Sequence, residues 1–322
     1  TVQALFPQER RVVDEQGTSY TYEKLLLATG GTPRRLPFGG DDILYYRSLD
    51  DFRRLKALTE EKQRRYVVIG GGFIGSEVAA ALAMNGQRVT IVISGEGICE
   101  RIFPTDVVRF LNTYYQHKGV ELVLNDEAVA LDSKQDALAL TLKSGRVLET
   151  DVVVAGIGIN LNTGLAEDAG LKVDNGVVVD KYLRTSDPNI YAAGDIASYP
   201  DHTLGTRRRV EHEDNANVMG KAAGRLMAGD TEPYDHLPFF YSDMFDLGYE
   251  AVGELDSRME IVSDWKEPYR EGVLYYLRDG RMRGVLLWNV WGQVDAARKL
   301  IAESGPFKAE DLKGRIPEGS SK

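Results

Sequence analysis

The chain has 322 residues, enough for two or three domains with sizeable cores, and its 49 acidic against 39 basic residues give a net charge of −10. That balance argues against a phosphate-backbone partner, so no nucleic-acid binding is expected. A single cysteine, Cys99, excludes an intrachain disulfide or a Cys-x-x-Cys centre within these residues, and no run of about eighteen apolar residues suggests a membrane span.

The sequence opens at Thr1, and Arg10-Arg11-Val12-Val13 leads through a turn at Gln16-Gly17 into Tyr20-Thr21-Tyr22, which reads as the middle of a domain. Leu25-Leu26-Leu27 is then a short apolar run that ends in Ala28-Thr29-Gly30-Gly31. It suits a buried parallel strand whose end lies near a ligand crevice. Ile43 to Leu49 leads into a charged helix from Asp50 to about Arg64, with Asp50 or Asp51 as the expected N-cap.

The most informative stretch follows. Arg65-Tyr66-Val67-Val68-Ile69 reads as a buried strand, Gly70-Gly71-Gly72-Phe73-Ile74-Gly75 as a glycine turn, and Ser76-Glu77-Val78-Ala79-Ala80-Ala81-Leu82 as the helix it opens. In this setting Gly70-x-Gly72-x-x-Gly75 is a dinucleotide fingerprint. Its first glycine makes the tight turn, its second lets backbone approach a pyrophosphate, and its third lets helix pack on strand. The helix N-terminus offers free N–H groups and partial positive charge to the phosphates. The same spacing also serves a ligand-free strand-to-helix turn.

After Asn85-Gly86 the strand Arg88-Val89-Thr90-Ile91-Val92-Ile93 completes a βαβ unit, which predicts a parallel sheet. About twenty residues past the glycines an acid normally takes the ribose 2′-hydroxyl and selects NAD over NADP. Here the strand ends in Ile93-Ser94-Gly95 and the nearest acid is Glu96, while Arg88 and Arg101 could serve a 2′-phosphate. NAD is favoured, and NADP stays open. Asp106 to His117 reads as a helix, Val120 to Leu124 as a strand, and Ala128 to Leu148 as an antiparallel meander turning at Ser144-Gly145. Val152-Val153-Val154-Ala155 then runs into a glycine loop that would set Gly158 near the nicotinamide end of a dinucleotide.

Ile190-Tyr191-Ala192-Ala193-Gly194-Asp195 is a strand ending in a carboxylate, suited either to capping its own turn or to accepting a hydrogen bond from a polyol. Arg207-Arg208-Arg209, beside Glu211, Glu213 and Asp214, reads as an internally paired face. A helix follows to about Met227 and stops at Gly229. His212 among those acids lacks a second metal ligand at useful spacing, so no metal is expected. From Pro233 aromatic residues concentrate. Tyr249 to Gly253, Gly272 to Arg278 and Arg283 to Asn289 read as antiparallel strands, with Asp279-Gly280 as a hairpin turn and a helix from Gly292 to about Ala302.

These motifs, in this order, resemble the two-dinucleotide flavoprotein reductases, and Ala28-Thr29-Gly30-Gly31-Thr32-Pro33-Arg34 resembles their apoptosis-inducing-factor branch. The resemblance spans Tyr20 to Ile301. It implies that Ala28, Thr29 and Gly30 touch flavin, as does Arg47, otherwise an ordinary surface arginine. It implies that Asp195 holds the ribityl chain of FAD and that Glu211, His212 and Glu213 contact the cofactors. Tyr241 stands where that branch places a tryptophan beside the flavin, while Glu250 and Asn289 match nicotinamide-side contacts. Phe73 would move or stack when nicotinamide binds. Two departures appear: Leu161 replaces the proline usual after the Gly158 loop, and the first FAD fingerprint, with a flavin-side lysine, would precede Thr1, so the chain is expected to be a fragment.

The expected fold is α/β: two interleaved Rossmann-like dinucleotide-binding domains plus a C-terminal α+β domain. Residues 1–61 and 181–232 would form the FAD-type domain, 62–180 the NAD(P)-binding domain, and 233–322 the C-terminal domain. The expected function is hydride transfer from NAD(P)H to FAD and electron transfer onward to a ferredoxin-like protein or a quinone. The alternative is a slowly turning NADH-responsive sensor or assembly factor that forms a homodimer. A cytoplasmic location is expected, with a mitochondrial one left open by the missing N-terminus.

Overall fold

The computed structural model describes residues 1–133 and 137–319; residues 134–136, inside the expected meander, and 320–322 lie outside the described residues. The chain separates into two compact units. The first comprises Thr1–Thr32, Asn160–Phe240 and Arg298–Glu303, and the second Pro33–Ile159, Tyr241–Ala297 and Ser304–Lys322.

The second unit is built on a five-stranded parallel sheet in the spatial order Ile43–Tyr45, Val152–Ala155, Arg65–Ile69, Arg88–Ile93, Val120–Leu124. Its inner strands are continuous apolar runs because both faces are covered. Val67, Val92, Leu140, Leu142, Leu148 and Val153 form one buried cluster, so the meander Ala128–Ser133, Leu138–Leu142, Val147–Thr150 covers one face. The helices α1 (Leu49–Glu61), α2 (Phe73–Met84) and α3 (Thr105–His117) punctuate the parallel strands, α2 and α3 packing on the sheet. The N-cap of α1 is Ser48 rather than Asp50 or Asp51. Its hydroxyl accepts from the Asp51 N–H at 3.2 Å while the Asp51 carboxylate accepts from the Ser48 N–H at 2.7 Å, a capping box that makes Asp51 the third helical residue.

The C-terminal sheet is antiparallel and has five strands, ordered Phe239–Met244, Leu247–Gly253, Arg281–Trp288, Glu271–Arg278, Glu260–Glu267. The three expected strands are its interior. Glu260–Glu267 escapes the pattern because it is an edge, carrying Glu260, Asp264 and Lys266 where an inner strand would be apolar. Asp279 and Gly280 take φ of 54° and 71° in the hairpin between its inner neighbours.

In the first unit, a small antiparallel sheet (Val2–Phe6, Arg11–Asp14, Ser19–Thr21) adjoins the parallel pair Leu25–Leu27 and Ile190–Ala192. Two helices belong here, α4 (Gly164–Asp168) and α5 (Glu213–Met227), and Met219, Ala222, Ala223 and Leu226 of α5 join Leu27, Ile190 and Ala192 in one core. Helix α6 (Val294–Ala302) runs across the boundary at 297/298, and α7 (Ala309–Leu312) lies near the C-terminus. These units divide the chain at 32/33, 159/160, 240/241, 297/298 and 303/304. Ile43–Tyr45 falls in the second because it pairs in register with Val153–Ala155 and so joins the parallel sheet. Among the described residues no helix is long and apolar enough to cross a membrane.

Candidate functional site

In the second unit, the strand Arg65–Ile69 delivers the chain to Gly70, whose φ of +108° few other residues adopt. Three of the turn's glycines are required by the chain itself. A Cβ at Gly70 would lie 2.4 Å from the Gly156 carbonyl oxygen, one at Gly71 would lie 2.6 Å from Ile93, and one at Gly75 would lie 1.9 Å from the Gly70 carbonyl oxygen. Gly156 is thus a part of the turn that the spacing alone does not reveal. Gly72 differs: its φ is −80°, and a Cβ there would meet nothing within 4 Å. Neither a positive φ nor close packing forces glycine at 72, and the space over it is open to a ligand approaching from outside. Gly72 is also the N-cap of α2, and among the described residues no side-chain cap hydrogen bond is made there.

Further along α2, Ile74 is exposed and Phe73 partly buried. Glu77 accepts from the Ser242 hydroxyl at 2.5 Å, and burial holds its carboxyl above the ordinary range. Arg47 is exposed at the start of α1, its N–H donating to Asp51. Gly158 has φ +90°, and its carbonyl accepts from the Arg34 N–H at 2.9 Å. Tyr241 is 56% exposed. Glu250 accepts from the Gly292 N–H at 3.1 Å, its carboxyl raised by burial. Asn289 receives the Gly248 N–H at 2.8 Å and donates to the Arg270 carbonyl at 2.9 Å, tying together its own sheet. The Glu96 side chain is exposed, and its backbone N–H donates to the Glu100 carboxylate at 2.5 Å.

In the first unit, the parallel pairing of Leu25–Leu27 with Ile190–Ala192 brings two loops to one carboxyl edge, Ala28-Thr29-Gly30 and Ala193-Gly194-Asp195. This is where ligands of open parallel sheets bind. Asn162, which no sequence motif singled out, locks the first loop: the Thr29 hydroxyl donates to its carbonyl at 2.8 Å and its amide donates to the Thr29 carbonyl at 2.7 Å. A Cβ at Gly194 would lie 3.9 Å from the Ala216 Cβ, so the Asp195 turn abuts the first turn of α5. The Asp195 carbonyl accepts from Arg209 at 3.1 Å, and Arg209 also reaches Glu211 at 2.6 Å. Of the acids expected to pair with the three arginines, Glu211 takes Arg209; Arg208 pairs instead with Asp201, and Arg207 donates to the Val179 and Ser198 carbonyls. His212 is the N-cap of α5, followed by exposed Glu213. Its ring stacks on Phe240 at 4.3 Å, and burial, then Arg208, push its pKa down to about 4. His212 is therefore neutral near pH 7, and the helix terminus carries the local positive potential.

Residues 1–220 match the family described as pyridine nucleotide-disulphide oxidoreductase, and residues 223–268 and 260–303 match the C-terminal domain of apoptosis-inducing factor, mitochondrion-associated. The chain is 36% identical over 319 residues to apoptosis-inducing factor 1, mitochondrial, of Dictyostelium discoideum, covering 91% of this chain and 59% of the relative. It is 34% identical over 329 residues to monodehydroascorbate reductase 3 of Arabidopsis thaliana, covering 97% and 74% respectively. Among solved structures it resembles the covalent putidaredoxin reductase–putidaredoxin complex, with a TM-score of 0.89, 29% identity, and coverage of 96% of this chain and 76% of that one.

Proposed function

Since the chain belongs to the pyridine nucleotide-disulphide oxidoreductase family, on its apoptosis-inducing-factor-like branch, we propose that it is an FAD-dependent NAD(P)H oxidoreductase that delivers electrons to a small redox protein or a quinone. The observation that supports this reading is Gly72, which has ordinary φ and open space at its Cβ position, at the N-terminus of α2. The second unit would hold NAD(P)H over Gly70 to Glu77, and the first would hold FAD between the Thr29 and Asp195 loops.

Bound FAD would supply electron acceptance and release that the chain itself lacks, since burial pushes the thiol of Cys99 up to about 12 and leaves it inert. The protein's own tasks are then electrostatic. The first-turn N–H groups of α2 neutralise pyrophosphate, Asp195 accepts hydrogen bonds from a polyol chain, and the N-terminus of α5 favours negative charge accumulating beside it. Asn162 fixes the Thr29 loop so that its backbone meets the flavin in one conformation.

The match of residues 223–303 to the apoptosis-inducing-factor C-terminal domain favours a second reading, an NADH-responsive sensor with slow turnover and a homodimeric reduced form. Both readings share one test: full-length protein purified with bound FAD, titrated anaerobically with NADH, should lose the visible flavin band at one equivalent. A preparation in which FAD binds and NADH leaves the band unchanged would overturn the proposal.

A further inference from the structure

The loop after the strand Arg88–Ile93 solves a problem that its sequence poses, namely where a ribose-binding acid could come from. The strand ends under the glycine turn, because a Cβ at Gly71 would touch Ile93. Gly95 lies two residues past the strand end, where the chain bends into the loop and the Gly95 carbonyl accepts from the Asn125 N–H at 2.9 Å. Gly95 has no side chain, and its place is taken: a Cβ there would lie 1.8 Å from Oε1 and 2.4 Å from Cδ of Glu100. The carboxylate of Glu100 thus sits where the side chain of a strand-end residue would begin.

The chain holds it there from several directions. The Glu96 N–H donates to Glu100 Oε2 at 2.5 Å, and the Cys99 N–H donates to the Gly71 carbonyl at 2.8 Å, which ties the loop to the glycine turn itself. Asn112 accepts from the Ile98 N–H at 3.2 Å and donates to the Glu96 carbonyl at 2.9 Å. Phe103 closes the loop, its ring edge-on to Tyr249 and Trp288 with centroids 5.5 Å away in each case. A cleft of about 980 Å³ opens beside this loop and is lined by Glu96, Glu100, Arg101, Arg109, Asn125 and Arg258 among others, ample for a nucleoside.

We propose that Glu100 is the specificity-determining carboxylate of the coenzyme site, accepting the ribose 2′-hydroxyl of NAD(H) and repelling the 2′-phosphate of NADP(H). The inference rests on the dinucleotide-binding reading above. It shifts the role from Glu96, whose side chain is exposed on the loop and whose backbone serves as a support for Glu100.

The test is calorimetric binding of NAD+ and of NADP+ to the full-length, FAD-loaded protein and to its Glu100→Gln, Glu100→Asp and Glu96→Gln variants. The parent should prefer NAD+ by about tenfold, the effect of one partly exposed charge. Glu100→Gln should remove most of that ratio by improving NADP+ binding, and Glu96→Gln should leave the ratio within about twofold of the parent. Glu100→Asp, which withdraws the charge by one methylene, should weaken NAD+ severalfold and serves if the glutamine variant does not fold. A parent that prefers NADP+, which would favour Arg101, or a ratio that ignores Glu100, or one that follows Glu96 equally, overturns the assignment while leaving dinucleotide binding intact. Failure of the parent to bind either coenzyme overturns the underlying functional reading instead.

Discussion

At position 72 the backbone is ordinary and the neighbouring space empty, so substitution there separates binding from folding. Gly72→Val should weaken NADH binding by tenfold or more, about 1.4 kcal/mol, at a stability cost no larger than about 1 kcal/mol for an altered cap. Gly75→Ala should do the reverse first, lowering the melting temperature, because its Cβ lands on the Gly70 carbonyl oxygen. A folded Gly72→Val protein with parental NADH affinity would show that the turn binds no pyrophosphate. His212 offers a second residue-scale test. Its folded pKa of about 4 lies below the ordinary 6.5, so between these values the unfolded chain binds more protons than the folded one. Stability contributed by neutral His212 is therefore full above about pH 6.5 and is lost as pH falls towards 4. Urea midpoints of the parent and His212→Gln, compared at neutral pH and near pH 5, should show the parent losing more on acidification; equal losses would place the proton elsewhere. At this scale the sequence reveals glycines and acids but not their partners. Glu100 and Asn162 stay hidden because a side chain that folds back on its own loop, or across 133 residues to Thr29, leaves no periodic trace.

Elements are legible where one physical rule dominates. The strand Arg88–Ile93 falls where its apolar run places it, since burial of Ile91, Val92 and Ile93 leaves no competing pattern, while the edge strand Val120–Leu124 is read from the apolar residues that flank its exposed Glu121. The hairpin at Asp279-Gly280 is equally plain, because its turn demands positive φ at both positions. Helix ends are harder. Asp50 and Asp51 both look like caps, and only the reciprocal bonds between Ser48 and Asp51 decide the register. Ser48→Ala should therefore destabilise the protein by about 1 kcal/mol, while Asp50→Ala, at the second helical residue, should change little beyond a favourable dipole interaction of about 0.3 kcal/mol. Chemical denaturation of the two variants checks this, and an Asp50→Ala loss equal to or greater than that of Ser48→Ala would return the cap to the aspartates. The edge strand Glu260–Glu267 marks the opposite limit: charges that protect an edge from pairing also erase the alternation by which a strand is recognised.

Over the whole molecule, the order of the motifs predicts two interleaved Rossmann-like bodies, because glycine-rich loops follow apolar strands in two separate parts of the chain. Where the bodies divide is set by pairings such as Ile43–Tyr45 with Val153–Ala155, separated by more than a hundred residues and invisible to local pattern. The same scale decides between enzyme and sensor, since all the residues assigned to coenzyme and flavin serve either one. The distinction lies in what happens after reduction. A reductase must release oxidised coenzyme and pass electrons on quickly, so steady-state NADH oxidation should rise hyperbolically with a ferredoxin-type acceptor or a quinone and reach the 1–1000 s⁻¹ range, roughly, that is usual for enzymes. A sensor must keep the reduced complex, so turnover should stay far below about 1 s⁻¹ with either acceptor while the reduced protein changes its sedimentation from monomer to dimer. We expect the first outcome, as the proposed oxidoreductase reading requires. A long-lived NADH-reduced dimer that neither acceptor reoxidises would establish the sensor in its place.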